Sequence, residues 1–288
     1  MLNAYTKIEF PKNEWKLVIV DNGSEDNSLK IINSFKQKLP ITYLSEKRRG
    51  KNIALNAGLL EIENGLVVFT DDDVIPSYNW LSELSIAANT NPQYSIFGGP
   101  ILPEWESIPD EWILKWVKLQ PVFAILDDIG DEGPIANYLV FGPNMAVRSE
   151  IFQSGYKFDE TIGPQGSNYA QGSEAELLIR LGQDGFKAWH CKKAIVKHII
   201  RSYQIKKNWI LSRAIRFGRG QYRLGVEYPN CRSFFFGMPK SLFYRILRNC
   251  YRLGRSYLTG NKEKKFAERW NLNYLIGIGL EARRVHSK

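Results

Sequence analysis

The sequence predicts an α/β fold: a mostly parallel sheet flanked by helices, followed by a basic, mostly helical C-terminal extension. Three observations carry this reading. Short β-branched runs alternate with helical patterns through roughly the first 200 residues, which is the signature of crossover connections in a sheet covered on both faces. Two of those runs end in acidic turns, at Asp21 and at Asp71-Asp72-Asp73. Charge then changes sign along the chain: residues 1–198 hold 19 Lys+Arg and 26 Asp+Glu, net −7, whereas residues 199–288 hold 20 and 4, net +16. The expected domains are therefore 1–198 and 199–288.

Taken in order, Leu2–Phe10 reads as a helix. Lys16–Val20 (KLVIV) reads as a buried strand that feeds the turn Asp21-Asn22-Gly23-Ser24. Ser28–Lys38 follows as a helix with Leu29, Ile32 and Phe35 at helical spacing, and Pro40 stops it. Ile41–Leu44 is a second strand. Lys51–Glu63 is a helix with Ile53, Ala54, Ala57 and Leu60 facing inward, and Leu66–Thr70 (LVVFT) a third strand running into the aspartates. Between Pro100 and Pro134 the pattern loosens into a long loop with a short helix near Glu111–Leu119. Strands are expected at Tyr138–Phe141 and Asn144–Val147, either side of a Gly142-Pro143 break. A helix over Ser173–Leu181 and a closing strand over Ala194–His198 complete the first domain.

Composition narrows the function classes. With 288 residues and a 44% hydrophobic fraction, the chain can bury a sizeable core in one or two domains. No run of about 18 apolar residues predicts a spanning helix. The N-terminal segment has no basic region leading into an apolar stretch, so no secretory signal is expected. Three scattered cysteines, Cys191, Cys231 and Cys250, read as reduced thiols of a cytoplasmic protein.

The chemistry concentrates in the acidic turns. Three adjacent carboxylates at a strand end raise one another's pKa unless a cation compensates them. A hard divalent ion held by one or two carboxylates and a substrate diphosphate resolves the conflict. In open α/β sheets ligands sit at the carboxyl ends of strands, where both Asp21 and Asp71–Asp73 fall. That placement lifts the Asp-x-Asp pair above the bland reading of a solvated acidic turn.

The segments VIVDNGSEDNS (18–28), GKNIALNAGL (50–59), VVFTDDDVIPSYNWL (67–81), FGPNMAVRSEIF (141–152), GSEAELLIRLGQDGFKAWH (172–190) and AIVKHI (194–199) resemble the successive motifs of family 2 glycosyltransferases. Each is weak alone; their order over residues 15–200 is what makes them specific. The resemblance implies a GT-A-type fold and inverting transfer of a sugar from a nucleoside diphosphate sugar to a glycan or lipid-linked acceptor, with Mn2+ or Mg2+ as cofactor. It puts Asp21 near the nucleotide base or ribose, and Lys51 and Asn56 beside the nucleotide and diphosphate. Asp73 becomes the metal-contacting aspartate, with Asp71 and Asp72 supporting it or the ribose, and His198 the histidine that completes the metal site. Glu174 takes the role of catalytic base, with Glu176 as the other candidate.

Two departures from the family pattern stand out. Relatives usually carry Glu-Asp where this chain has Glu174-Ala175-Glu176, so the aspartate often assigned as base is absent. The family also opens with a hydrophobic strand before the first helix, whereas this chain starts at what resembles that helix. The expectation is a shortened product, with two strand edges left unpaired. These departures keep a second reading open: a catalytically silent relative that binds a partner or a membrane.

Trp105, Trp112 and Trp116 serve either as a sugar-stacking platform or as core. In the tail, Leu242, Phe243, Ile246, Leu247, Cys250 and Tyr251 form an apolar stripe, with Lys240, Arg245, Arg248, Arg252 and Arg255 largely on the other side. A basic amphipathic helix of this kind reads as binding an anionic membrane surface, which would place the protein peripherally on the inner face, or as an extension that packs its apolar side on the catalytic part; both can hold at once. No nucleic-acid-binding motif accompanies the basic charge, so nucleic acid is not the expected partner.

Overall fold

The structure is a computed structural model and describes residues 1–10, 15–127, 129–166 and 169–286. Its elements run α1 (Leu2–Tyr5), β1 (Leu17–Asp21), α2 (Ser28–Phe35), β2 (Ile41–Ser45), α3 (Lys51–Gly58), β3 (Leu66–Phe69), β4 (Val74–Pro76), α4 (Trp80–Thr90), β5 (Ile96–Gly98) and β6 (Ile101–Trp105). They continue through α5 (Glu111–Trp116), α6 (Leu119–Phe123), β7 (Gly133–Ile135), β8 (Met145–Arg148), α7 (Ser149–Gln153), α8 (Ser173–Gln183), β9 (Ala188–His190) and β10 (Val196–Ile200). The last are α9 (Lys207–Arg223), β11 (Phe234–Phe235), β12 (Met238–Pro239), α10 (Lys240–Leu258) and α11 (Lys262–His286).

Two compact units emerge. The first comprises Met1–Glu104, Phe123–Thr161 and Ser173–Ile199; the second comprises Trp105–Val122, Ile162–Gly172 and Ile200–Lys288. The charge boundary at 198/199 lies beside one of these joins, but the second unit also draws in two segments from within the first part of the chain. A linear charge count carries no information about such excursions.

In the first unit the fold class is the α/β one expected, with sheets flanked by helices, but strand directions are mixed. The main sheet has the order β3-β8-β5-β9-β7. β5 and β9 run parallel, while β8 is antiparallel to both β3 and β5, and β7 is antiparallel to β9. A separate parallel pair, β1-β2, and a three-stranded sheet, β4-β10-β6, complete it. Among the described residues β1 pairs only with β2 and β3 only with β8, so each keeps one edge without a strand. The apolar faces of these two sheets nevertheless share one core, in which Leu17 and Ile19 of β1 and Leu66 and Val68 of β3 pack against the same cluster.

Local chemistry explains the element ends. Gly50, at φ 145°, adopts backbone that favours glycine and starts α3, while its N–H donates to Asn22 Oδ1 at 2.7 Å. The other side of that amide donates to the carbonyls of Glu46 and Arg48, so Asn22 ties the loop between β2 and α3. The N-terminal helix is shorter than the Leu2–Phe10 expected. The strand expected over Tyr138–Phe141 does not form; Asn137–Leu139 is a 3-10 turn instead. Asn137 holds that turn by donating to the carbonyls of Leu178 and Phe186, a long-range constraint that local β propensity cannot anticipate.

The second unit is helical. Gly218 of α9 and Gly277 of α11 face carbonyls across the contact, those of Tyr274 and Ile215, so that any side chain there would run into backbone. Glu281, fully buried, accepts from Arg219 Nε at 2.9 Å, with Arg223 at 3.4 Å and Arg284 at 3.7 Å. Removing one partner of a buried pair leaves an uncompensated charge. Glu281→Ala is expected to destabilise the protein by about 3–5 kcal/mol, measured by urea unfolding. Trp112 packs edge-on against Phe266, ring centroids 5.3 Å apart, with Trp116 6.1 Å away. This favours the core role over the sugar platform for Trp112.

Candidate active site

The site is built where β3 ends and β4 begins. β3 delivers Asp71–Asp73 at its carboxyl end, and antiparallel pairing of β4 with β10 sets His198 opposite Val74. The same ladder closes with the Ile199 N–H donating to the Asp73 carbonyl at 2.8 Å. As a result His198 Nε2 lies 3.3 Å from Asp73 Oδ2. The other ring nitrogen, Nδ1, is 2.6 Å from the Phe123 carbonyl.

That carbonyl has a chemical consequence. It accepts the Nδ1 proton, so the neutral ring keeps its lone pair on Nε2, aimed at Asp73. A carboxylate oxygen and an imidazole nitrogen side by side suit a divalent ion such as manganese or magnesium. Among the described residues no group of three or more His, Cys, Asp and Glu side chains gathers as a ligand set. Two such side chains would suit an ion whose remaining positions could be taken by diphosphate oxygens and water. Burial disfavours charge on both side chains, yet their mutual attraction prevails. The pKa of His198 is raised and that of Asp73 lowered from their ordinary values.

Asp72 is pushed up instead, by desolvation first and then by the negative charge of Asp73 and Asp71. Lys51 reaches the first carboxylate of the cluster. Lys51 Nζ lies 2.8 Å from Asp71 Oδ1 and 2.9 Å from Glu174 Oε1, a residue 123 positions further along the chain than Lys51. Burial works against the ammonium, but the two carboxylates outweigh it and its pKa is raised. Lys51 is thus a cation at the meeting point of the aspartate cluster and the start of α8.

The two glutamates of α8 separate cleanly. Glu174 joins Lys51 and Asp71, whereas Glu176 is held by Arg180 in an i,i+4 pair at 2.5 Å and points to a different set of neighbours. Glu174 is admitted by Gly142, where a methyl carbon would come 2.7 Å from the carboxyl carbon Cδ. The Gly142-Pro143 dipeptide was legible in sequence only as a strand break; its use as a cradle requires the tertiary contact. Gly142→Ala is expected to displace the end of the flexible Glu174 side chain, leaving the melting temperature nearly unchanged while turnover falls by at least tenfold.

Asp21 stands at the carboxyl end of β1 as expected. Its Oδ2 accepts from the Tyr43 hydroxyl at 2.9 Å and its Oδ1 from the Ser24 N–H at 2.8 Å, and the Ser24 bonds lower its pKa. No hydrogen bond or ion pair among the described residues joins Asp21 to Asp71–Asp73. Asn56 is bonded to a different segment. Its amide donates to the Phe158 carbonyl and Glu160, and its oxygen accepts from the Phe158 N–H, so its polar atoms are spent on the 158–160 loop rather than turned toward the carboxylates. Asn52, one turn earlier, donates to the Asp159 carbonyl and shares that structural task. Asn144, fully buried, is a further residue that sequence reading passed over. It donates to the carbonyls of Pro100 and Ala194 and accepts from Trp80 Nε1, which ties α4 to the strand ends around the site.

An α/β sheet with an Asp-x-Asp turn, a histidine facing its second aspartate and a glutamate across from its first defines a GT-A-type transferase scaffold. Residues 2–153 match the family model described as glycosyl transferase family 2. The chain belongs to glycosyltransferase family 2, and it is a glycosyltransferase.

Relatives and solved structures agree. The chain is 23% identical over 227 residues to a glucosyl-dolichyl phosphate glucuronosyltransferase of Haloferax volcanii, covering 74% of this chain and 68% of that protein. It is 23% identical over 222 residues to the glycosyltransferase AglE of the same organism, covering 69% and 71%. In fold it is similar to a mannosyltransferase of Pyrobaculum calidifontis, solved with GDP-Man and Mn2+, with TM-score 0.58 and 14% identity over 98% of this chain and 81% of that one. It is also similar to S. aureus TarS residues 1–349 in complex with UDP, with TM-score 0.54 and 14% identity over 96% and 85%. The silent alternative finds no support among them.

Proposed function

We propose that this protein performs inverting transfer of a sugar from a nucleoside diphosphate sugar to a lipid-linked or glycan acceptor, with Mn2+ or Mg2+ at Asp73 and His198. The observation that carries the reading is the Lys51 bridge, which brings Glu174 beside the aspartate cluster. The Haloferax relative named for a dolichyl phosphate substrate supports the lipid-linked class, and the neighbour solved with GDP-Man and Mn2+ supports the donor class and the ion.

In this reading Glu174 accepts the proton of the acceptor hydroxyl as that oxygen forms its bond to the anomeric carbon. The bond from the anomeric carbon to the diphosphate oxygen breaks, and its electron pair leaves with the diphosphate. An ion held by Asp73 and His198 would supply charge stabilisation for that leaving group. Lys51, already cationic, offers a point countercharge to the diphosphate. Asp21 faces the nucleotide base or ribose, while Asp71 and Asp72 support the ribose or the metal ligand. Glu176 is held apart by Arg180, which favours Glu174 as the base. The +16 tail supports a position at an anionic membrane surface, on the cytoplasmic face where nucleotide sugars are at hand; no described helix is long and apolar enough to cross a membrane.

Calorimetric titration with a panel of nucleoside diphosphates and their sugars, with and without manganese, tests this. Manganese-dependent binding of one nucleotide class is the expected result. A folded protein that binds none of them would overturn it.

A further inference from the structure

The amphipathic pattern of α10 predicts its apolar residues on one side and the arginines largely on the other. The structure distributes them differently. The side turned inward is narrow: Leu242, Asn249 and Ser256, seven residues apart, are its buried positions. A second apolar row is left outside. Tyr244, Leu247, Tyr251 and Leu258 recur at helical spacing and are 67%, 69%, 71% and 89% exposed.

This row continues past the N-terminus of α10. β11 and β12 form a hairpin whose loop is Phe236-Gly237, both left-handed, at φ 47° and 71°. A phenylalanine at such a position is conformationally unfavourable, and here it stands 73% exposed at the tip. Phe235 links the tip to the helix through Phe243, with ring centroids 5.5 Å apart.

Charge decides what this face meets. No aspartate or glutamate occurs from Tyr228 to Asn261. Arg245 is taken up by Glu227 at 2.7 Å, and Arg252 leans toward Glu268 at 3.9 Å. Arg248 and Arg255 remain on the exposed side with no ion pair among the described residues. Aromatic and leucine side chains flanked by unpaired guanidiniums match the boundary between anionic headgroups and acyl chains. A purely apolar protein groove would satisfy the apolar row and leave the guanidiniums without partners, and a nucleic-acid backbone would do the reverse.

We infer that Phe235, Phe236, Tyr244, Leu247, Tyr251 and Leu258, with Arg248 and Arg255, form an interfacial membrane-binding face that inserts shallowly into an anionic lipid surface. The inference rests on the proposed reading of the basic tail and deepens it. The tail is held by inserted side chains as well as by its charge, so that a membrane-bound acceptor and the enzyme share one surface.

The test uses the full chain with vesicles of phosphatidylcholine alone and with phosphatidylglycerol added, by co-sedimentation. Cys250, exposed on α10, also carries an environment-sensitive dye in a Cys231→Ser background. Binding to the anionic vesicles with a blue shift of the dye is expected. Arg248→Ala with Arg255→Ala should weaken binding roughly thirtyfold. Leu247→Glu with Tyr251→Glu should weaken it more than tenfold and abolish the blue shift. Binding that salt removes but the Leu247/Tyr251 variant does not would overturn insertion. Binding of nucleic acid without vesicles, or a dimer dispersed by the Leu247/Tyr251 variant without vesicle binding, would overturn the membrane as partner. Arg248, Arg255, Leu247 and Tyr251 are all exposed, and circular dichroism of each variant checks its fold. Manganese-dependent nucleotide binding, measured on the same variants without lipid, reports separately on the donor site, so failure of one reading is distinguishable from failure of the other.

Discussion

Glu174→Gln is expected to lower turnover by about 10²–10⁴ while leaving donor binding within a few-fold of the parent. The substitution keeps the shape of the side chain and its fit beside Gly142 but removes the ability to take a proton. Glutamine also withdraws one of the two carboxylates that hold the Lys51 ammonium, which remains paired with Asp71 at 2.8 Å. Donor affinity therefore changes little and the loss falls on kcat. Single-turnover kinetics with a saturating donor separate the two. The companion variant Glu176→Gln, which breaks the pair to Arg180, should cost little turnover. Full activity in Glu174→Gln together with loss in Glu176→Gln would move the base to Glu176.

The second large effect belongs to Asp73. Asp73→Ala removes the carboxylate that faces His198, and the manganese-dependent part of donor binding should disappear, with turnover down by about 10²–10³. A pH dependence accompanies it. The His198 pKa lies above its ordinary value because Asp73 stabilises the imidazolium, so at the proposed metal site a proton and the ion would compete for Nε2. Metal binding needs the neutral ring. Manganese-dependent affinity should therefore be full well above the raised pKa and fall as pH drops through it, a window that begins above about 6.5. In His198→Gln that fall should vanish along with most of the metal dependence. Unchanged manganese-dependent affinity in Asp73→Ala would remove the residue from the site.

Stability and catalysis are expected to part company in the remaining variants. Glu281→Ala acts on the buried arginine cluster of the helical unit and should show in the unfolding midpoint. Gly142→Ala acts on the position of one carboxylate and should show in turnover.

Much of this protein was readable without coordinates, because the relevant signals are local. Alternating β-branched runs and helical periodicity identified β1, α2, β2, α3 and β3, since backbone preference and burial agree within a few residues. The ordered motifs marked Asp71–Asp73, Glu174 and His198 as the residues to examine. Charge sign located the basic tail.

Only the tertiary structure decided the rest, because it depends on contacts between distant segments. Strand direction in the main sheet follows from which strands become neighbours, and β8 enters antiparallel between β3 and β5. Lys51 and Glu174 meet across 123 residues, and that meeting separates Glu174 from Glu176 where spacing alone left both open. Asn56 turns to the 158–160 loop because its partners are backbone groups there, which no residue type announces. On α10, the amphipathic pattern shows that an apolar side exists; which of its apolar residues are covered depends on what packs against the helix. A sequence records what each segment prefers, and the assembled chain determines which of those preferences find partners.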